Sequence, residues 1–511
     1  MSMSAPAADT IHALLAAGAA DARAIGAPDR PWLTRGGLLA LAERTVAALN
    51  GFGIGRGDRV AIVLPNGPEA ASSYLAIACG ATTAPLNPAY TRDEFLFYMQ
   101  DLGARALVVA DGAQTVARDV AASLGVPVLT LVPGEAAGDF SLRPEASLSG
   151  EAARPGPAAA DDIALVLHTS GTTSRPKIVP LRHVNVTASA ANIGRALSLT
   201  PDDVCLNIMP LFHIHGLSAA VLASVAAGAA VCCTPGFNAF RFFAWFEAVR
   251  PTWVTAVPTM FQTLLPYAER NREVIARGRL RLLRTSSASL PAPVMVALEA
   301  SFGVPVIESY GMTEAAHQMC CNPLPPAPRH PGSVGIAAGP EVAIMDEAGA
   351  LLPPGTPGEV VIRGRNVTAG YEANPEANAK AFTGGWFRTG DEGVIDAAGY
   401  LRLVGRLKEI IVRGGEKVSP LEVDAVLLGH PAVAQAMTFA LPHPKLGEDV
   451  GAAIVLRPDS EADEAALRAF AADRLAAFKV PRKILFLDEI PKGPTGKPQR
   501  IGLAARLGIT A

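Results

Sequence analysis

Ile163-Ala164-Leu165-Val166-Leu167 runs straight into His168-Thr169-Ser170-Gly171-Thr172-Thr173-Ser174-Arg175-Pro176-Lys177. An apolar run that ends in a hydroxyl-rich, glycine-containing loop reads as a strand delivering a phosphate-binding loop. Five hydroxyl side chains and the loop amides can donate to phosphate oxygens. Lys177 adds a positive charge and Gly171 permits close backbone approach. The stretch is not a Walker A loop, because the second glycine and the Lys-Ser/Thr pair are missing. A polar surface turn competes with this reading, and the loop alone leaves the two about even.

Working outward, Arg59 to Leu64 followed by Pro65-Asn66-Gly67-Pro68 reads as strand then turn, and Ala106 to Ala110 and Val304 to Ile307 as further strands. Alternation of such strands with apolar helical stretches argues an α/β fold with substantial parallel sheet. Gly358 to Gly364 reads as a strand of a more antiparallel section, and 133–157, rich in Ala, Gly, Pro and Glu, as a surface connection. After Gly405 the chain turns basic and glycine-rich. It then reads as helix (Pro420 to Leu428), strand (Ala434 to Ala440), strand (Gly451 to Leu456) and helix (Asp463 to Ala477), enough for a small α+β domain.

Composition narrows the function classes. The chain has 511 residues, half of them hydrophobic and 18% charged, which suits a well-buried protein of more than one domain. A net charge of −3 with no basic stripe argues against a nucleic-acid partner. The six cysteines include the pairs Cys232-Cys233 and Cys320-Cys321, with no CxxC and no metal-ligand spacing, and read as reduced thiols of a cytoplasmic protein. Met1 to Thr10 lacks the basic and apolar segments of a signal peptide. The uncharged run from Gly216 to Cys233 has only two leucines and reads as a buried helix then a strand, so no membrane partner is expected. The sequons at Asn185 and Asn366 carry no meaning in a protein that is not secreted.

The quoted loop resembles the signature loop of the adenylate-forming superfamily of acyl-CoA synthetases, peptide-synthetase adenylation domains and beetle luciferases. Further motifs follow in that superfamily's order: Pro210 to Leu217 (PLFHIHGL), Tyr310 to Glu314 (YGMTE), Thr389-Gly390-Asp391, Gly405 to Glu409 (GRLKE), Arg413 to Lys417 (RGGEK) and Pro494 to Lys497 (PTGK). The resemblance spans essentially the whole chain. One departure is Ile178, where the family usually has glycine. The resemblance implies a large multi-sheet N-terminal AMP-binding and acyl-pocket domain (1–404), a hinge (405–410, with Lys408 at the hinge position) and a mobile α+β lid (411–511).

It also implies a chemistry. A carboxylate becomes an acyl donor once joined to AMP, and it must attack the α-phosphate of ATP, anion upon anion, so charge must be neutralised and the partners aligned. Thr169, Ser170, Gly171, Thr172, Thr173, Ser174 and Lys177 would cradle the β- and γ-phosphates. Glu314 would hold Mg²⁺, Thr313 would donate to the α-phosphate, and Ser309, Tyr310 and Gly311 would border the nucleotide, with Tyr310 stacked on adenine. Asp391 would accept from the ribose hydroxyls with Arg406 in support. Lys497 would bridge carboxylate and α-phosphate during adenylation, a task with no counterpart when a thiol attacks the neutral acyl carbonyl. Coenzyme A would enter near Arg413 to Lys417, and a carrier-protein domain in the chain is not expected. The ordinary readings are a turn into a helix capped by Thr313, a loop carboxylate, a surface arginine, a core tyrosine and a solvated lysine.

The acyl pocket should be lined by His213 and by residues near 285–290 and 312–319. These offer Ser286, Ser287, Ser289, His317 and Gln318, a poor lining for a long acyl chain and a good one for a small acid with a second polar group. These segments resemble the oxalyl-CoA synthetase branch most closely. That resemblance implies oxalate held by Ser287 and His317, with His213 as third contact and Ser289 as the alternative serine. His215 reads as a structural core residue. Other short acids, malonate or a short aliphatic acid, remain alternatives. Malonate would more naturally use an arginine, and none stands in the two segments. A luciferase-like oxygenase using the same adenylate is the reading from another enzyme class.

Overall fold

The quoted stretch is a hairpin: strand Ile163–Thr169 is paired antiparallel with strand Lys177–Arg182. The computed structural model describes residues 8–169, 176–491 and 499–509. Ser170, Gly171, Thr172, Thr173, Ser174 and Lys497 therefore lie outside the described residues. Thr169 and Lys177, at the two ends of the loop, are cross-strand partners. Ile178 sits opposite His168 and is buried in a cluster with Leu86, Tyr98 and Val166. A β-branched residue suits such a half-pleated, packed position.

This hairpin forms one edge of a seven-stranded sheet ordered Phe140–Pro144, Val128–Pro133, Ala106–Ala110, Arg59–Val63, Thr82–Pro85, Ile163–Thr169, Lys177–Arg182. Its interior pairs are parallel and both edge pairs antiparallel. A second, nine-stranded sheet runs parallel through its centre, where Val204–Asn207, Trp253–Ala256, Leu282–Thr285 and Val306–Met312 lie side by side. Near-continuous apolar strands such as Trp253–Ala256, buried at every position, are what a sheet covered on both faces requires. A smaller antiparallel sheet holds Glu341–Met345, Gly358–Arg363, Trp386–Ile395 and Leu401–Arg406. The protein is thus α/β, with large N-terminal sheets and a separate C-terminal α+β unit.

That last unit has its own sheet, beginning at Ile411–Arg413, and its own core of Ile411, Val423, Leu427, Val450, Ile454 and Leu467. The preceding sheet ends at Arg406, so residues 407–410 belong to neither. Helix Pro420–Leu428 matches its expected span, started by the Ser419 hydroxyl accepting from the Glu422 amide. The helix expected over Asp463 to Ala477 is shorter, Glu464–Ala472. Its alanine-rich continuation breaks so that Leu475 and Phe478 can fold back onto the Ile411 core, tertiary packing overriding propensity. The expected surface connection over 133–157 contains a strand, Phe140–Pro144, laid against Val128–Pro133. The strand expected at Val304 to Ile307 begins at Val306 and continues to Met312. The uncharged run holds a π-helix, His215–Leu222, a short α-turn and the strand Ala230–Cys233. Among the described residues no helix is long and apolar enough to cross a membrane. All six cysteines are buried and free of disulfides.

Candidate active site

Parallel strands present their carboxyl ends to ligands, and the serines and the Tyr310 segment expected at the site stand toward those ends. Strand Leu282–Thr285 delivers Ser286 and Ser287, and strand Val306–Met312 carries Ser309, Tyr310 and Gly311. Two reciprocal bonds lock these ends together: the Ser286 hydroxyl donates to the Ser309 carbonyl at 2.9 Å, and the Ser309 hydroxyl to the Thr285 carbonyl at 3.0 Å. After Met312 the chain makes one 3-10 turn, Thr313–Ala315, and reverses through Ala316 and His317, both in the left-handed region at φ 49° and 100°. Thr313 opens that short turn and does not cap a helix. Such backbone costs energy and persists only where the surroundings enforce it. Here the enforcement is visible. A Cβ at Gly311 would lie 1.7 Å from the His317 carbonyl oxygen. Buried Asn366 donates to the carbonyls of Ala315 and Gln318 at 2.8 and 2.7 Å.

This turn buries Glu314, whose Oε1 accepts from the Tyr371 hydroxyl at 2.8 Å. Burial pushes the Glu314 carboxyl up, while the Tyr371 hydroxyl, Arg406 and Lys177 oppose that shift. The Lys177 ammonium stands 4.3 Å from the centre of the Tyr371 ring, a cation–π distance. Burial lowers Lys177 and nearby Glu314 raises it. The loop lysine and the candidate Mg²⁺ ligand thus share Tyr371 as a scaffold. Nothing in the sequence distinguished Tyr371, since its partners lie far away along the chain.

Asp391, buried on strand Trp386–Ile395, receives the Tyr310 hydroxyl on Oδ2 and Arg406 Nε at 2.8 Å on Oδ1. Burial raises its carboxyl and Arg406 and Tyr310 pull it down. A carboxylate has about four acceptor positions, so these two bonds leave capacity for ribose hydroxyls. Tyr310 is fixed by its hydroxyl. Lys408 lies just beyond, in the exposed turn where the Leu407 amide donates to the Gly390 carbonyl at 2.9 Å.

Some of the residues expected at the acid pocket form a second cluster. His215, in the π-helix, is buried and lies 2.7 Å from Thr255 Oγ1 through Nε2 and 3.1 Å from Ser287 Oγ through Nδ1. A π-helical segment inserts a residue into the helical repeat and is common at functional sites. His215 is thus buried in the core, as expected, yet hydrogen-bonded to Ser287 itself. His317 packs against it with ring centres 5.0 Å apart. Ser287 is exposed at φ 73°, a left-handed position in the loop after its strand. Ser289 is exposed two residues on, and His213 is half-buried before the π-helix, its ring 4.5 Å from Phe212. The segments near 285–290 and 312–319 contain no arginine, but Arg284 stands one residue earlier and reaches the cluster. Its Nη2 lies 3.4 Å from His317 Nδ1 and 3.0 Å from Gln318 Oε1.

Comparison with known proteins places this geometry. The AMP-binding enzyme family model matches residues 15–372, and the AMP-binding enzyme C-terminal domain model matches residues 422–497. A probable CoA ligase of Humulus lupulus, CCL9, is 45% identical over 94% of this chain and 92% of its own length. An oxalate–CoA ligase of Arabidopsis thaliana is 44% identical over 94% of each chain. The crystal structure of ATP-bound MatB from Rhodopseudomonas palustris superposes with a TM-score of 0.86, 31% identity and 98% of each chain covered. With both family models matched in order, and with near full-length likeness to CoA ligases, the chain belongs to the AMP-binding enzyme family, on its acid–CoA ligase side.

Proposed function

We propose that this ligase acts on oxalate, converting oxalate, ATP and coenzyme A to oxalyl-CoA, AMP and diphosphate. The observation that supports this reading is the polar cluster in which Ser287 is hydrogen-bonded to His215 and His317 packs on the His215 ring. A hydrocarbon chain would strand these donors, whereas a second carboxylate accepts from them. The 44% likeness to an oxalate–CoA ligase supports the same acid.

In this mechanism Ser287 and His317 hold the distal carboxylate, with His213 as a third contact and Ser289 beside them. The reacting carboxylate then faces the α-phosphate. Thr169 and Lys177, with the loop residues between them, hold the β- and γ-phosphates, and Thr313 donates to the α-phosphate. Asp391 and Arg406 hold the ribose, while Ser309, Tyr310 and Gly311 border the base. Glu314 is buried and, among the described residues, belongs to no cluster of metal-ligating side chains, which suits an ion that takes its other ligands from phosphates and water. Mg²⁺ bound there would neutralise phosphate charge. Lys497 neutralises charge building between carboxylate and α-phosphate in the first half-reaction. Movement of 411–511 about 405–410, centred on Lys408, then removes it and admits coenzyme A near Arg413 to Lys417.

Arg284 removes the argument against malonate, so a three-carbon diacid is the second reading. Incubating the enzyme with ATP, Mg²⁺, coenzyme A and each of oxalate, malonate, acetate and octanoate tests the assignment. Oxalate should give the fastest thioester formation, with AMP as nucleotide product and no oxygen consumed. Faster turnover of acetate or octanoate would sink the assignment, and ADP as product would sink the mechanism.

A further inference from the structure

Arg284 lies on the central strand Leu282–Thr285 and is completely buried. Buried arginines are ordinarily paired with a carboxylate. Among the described residues no ion pair to Arg284 is present: its guanidinium meets only Thr255 Oγ1 at 3.4 Å, His317 Nδ1 at 3.4 Å and Gln318 Oε1 at 3.0 Å, and its Nε has no hydrogen-bond partner. The carboxylate nearest in register, Glu308, is on the wrong face. Arg284 pairs with Ile307 and Thr285 with Glu308, and successive strand residues point to opposite sides. The acidic groups that act on Arg284 are the thiols of Cys205 and Cys321, which burial keeps protonated. Burial lowers the guanidinium only to about 10, so it remains charged at neutral pH.

The bonds Arg284 makes also orient donors. An N–H aimed at His317 Nδ1 requires that nitrogen to accept, which puts the ring proton on Nε2. On the other side, Nη1 donates to Thr255 Oγ1, so the Thr255 hydroxyl can donate to His215 Nε2 at 2.7 Å. His215 then carries its proton on Nδ1 and donates to Ser287 Oγ at 3.1 Å, leaving the Ser287 hydroxyl hydrogen for a ligand oxygen. One buried cation therefore sets the tautomer of His317 and a chain that ends in a donor, the Ser287 O–H.

We infer that Arg284 is the positioning residue for the second anionic group of the acid: its uncompensated charge and the relay it orients through Thr255 and His215 to Ser287 select a doubly charged small acid over a singly charged one. This rests on the reading of the pocket as the acid site, but not on the acid being oxalate.

The test compares oxalate, malonate, sulfoacetate and acetate as substrates of the wild type and three variants, as ratios of kcat/KM for each dianion to that for acetate. Arg284→Met removes the charge. Arg284→Lys restores it without the fork. Gln318→Glu supplies the missing counterion in place and opens no cavity, so it reads the charge even if Arg284→Met fails to fold. The wild type should prefer a dianion to acetate. Arg284→Met and Gln318→Glu should each lose at least about tenfold of that preference with little change in the KM for ATP, and Arg284→Lys should recover part of it. A merely structural arginine would lower both acids together and leave the ratio unmoved. Retention of the wild-type ratio in Gln318→Glu, or in a folded Arg284→Met, overturns the inference. A wild type that prefers malonate or sulfoacetate to oxalate overturns oxalate alone, and the variant ratios are then read on that acid. A wild type that prefers acetate overturns both.

Discussion

The two ends of the site are built on opposite electrostatic plans. Among the described residues of the expected nucleotide end, the buried carboxylates have answering groups: Asp391 sits between Tyr310 and Arg406, and Glu314 is held by Tyr371 with Lys177 over the same ring. At the expected acid end a buried cation and two histidines converge, with no carboxylate bonded to Arg284 among the described residues. ATP arrives in every turnover of every such ligase, so its end can be prepaid with internal pairs that keep their geometry when empty. On the proposed reading the acid end must tell one small anion from another, and an unanswered charge would make that distinction because only the right ligand completes it.

The comparison breaks most severely at Lys497. Lys497→Ala should slow acyl-adenylate formation by about 10²–10³, the size expected for one transition-state donor. Thioester formation from preformed acyl-adenylate should persist. Pre-steady-state measurement of each half-reaction decides the matter, and equal damage to both would make Lys497 a shared or structural residue.

Glu308 sharpens the contrast from the opposite face of the strand. It is 2% exposed, accepts from the Leu290 amide at 3.0 Å, and burial raises its carboxyl to about 7 from an ordinary 4.5. A carboxyl raised in the fold is protonated there while the unfolded chain has already ionised, so stability falls as pH climbs from 4.5 to about 7 and stays lowered above it. Glu308→Gln should remove that loss, worth up to about 3 kcal/mol above pH 7 and almost nothing at pH 4. Denaturant melts at the two pH values check it. Equal effects at both would mean that Glu308 does not titrate in this window.

A prepaid pair should fail differently from a pocket donor. Asp391→Asn leaves Arg406 and Tyr310 without their carboxylate and should raise the KM for ATP by roughly tenfold to a hundredfold, as charge-assisted bonds are each worth about 1.5–3 kcal/mol. The KM for the acid should barely change. Ser287→Ala and His317→Ala should do the reverse, each raising the KM for oxalate by roughly tenfold with ATP binding nearly intact. Movement of both constants in either variant would show that the two ends are coupled.

The sequence made the nucleotide end far more legible than the acid end. Tyr310, Glu314 and Asp391 stand in short motifs whose residue types suit their chemistry; Tyr310 and Glu314 lie at and just after the end of strand Val306–Met312, and the Tyr310 hydroxyl reaches Asp391 in the antiparallel sheet. The strands Arg59–Val63 and Ala106–Ala110 were visible because apolar runs bounded by turn residues have few other uses. Arg284 was not visible, because an arginine in Leu-Leu-Arg-Thr reads as a surface residue unless the strand is known to be central and covered. Tyr371 and Asn366 were hidden for another reason: each does its work on residues about fifty positions away, through one hydroxyl or one amide. His215 was read as structural and is both buried and bonded to Ser287, a partnership no linear pattern expresses.

The π-helix His215–Leu222 has a consequence for how this pocket can change. A π-turn is an α-helix carrying one surplus residue. Deleting one residue between 217 and 221 would restore regular winding, and the turns on either side would keep their faces, because the surplus residue is absorbed within the widened turn itself. His215, at the start of that turn, would be drawn off Thr255 and Ser287 while the rest of the helix stayed in place. On the proposed reading of this cluster, acid recognition is reachable by insertion and erasable by deletion. Among relatives, a change of length in this segment should mark a change of substrate more sharply than any single substitution in it.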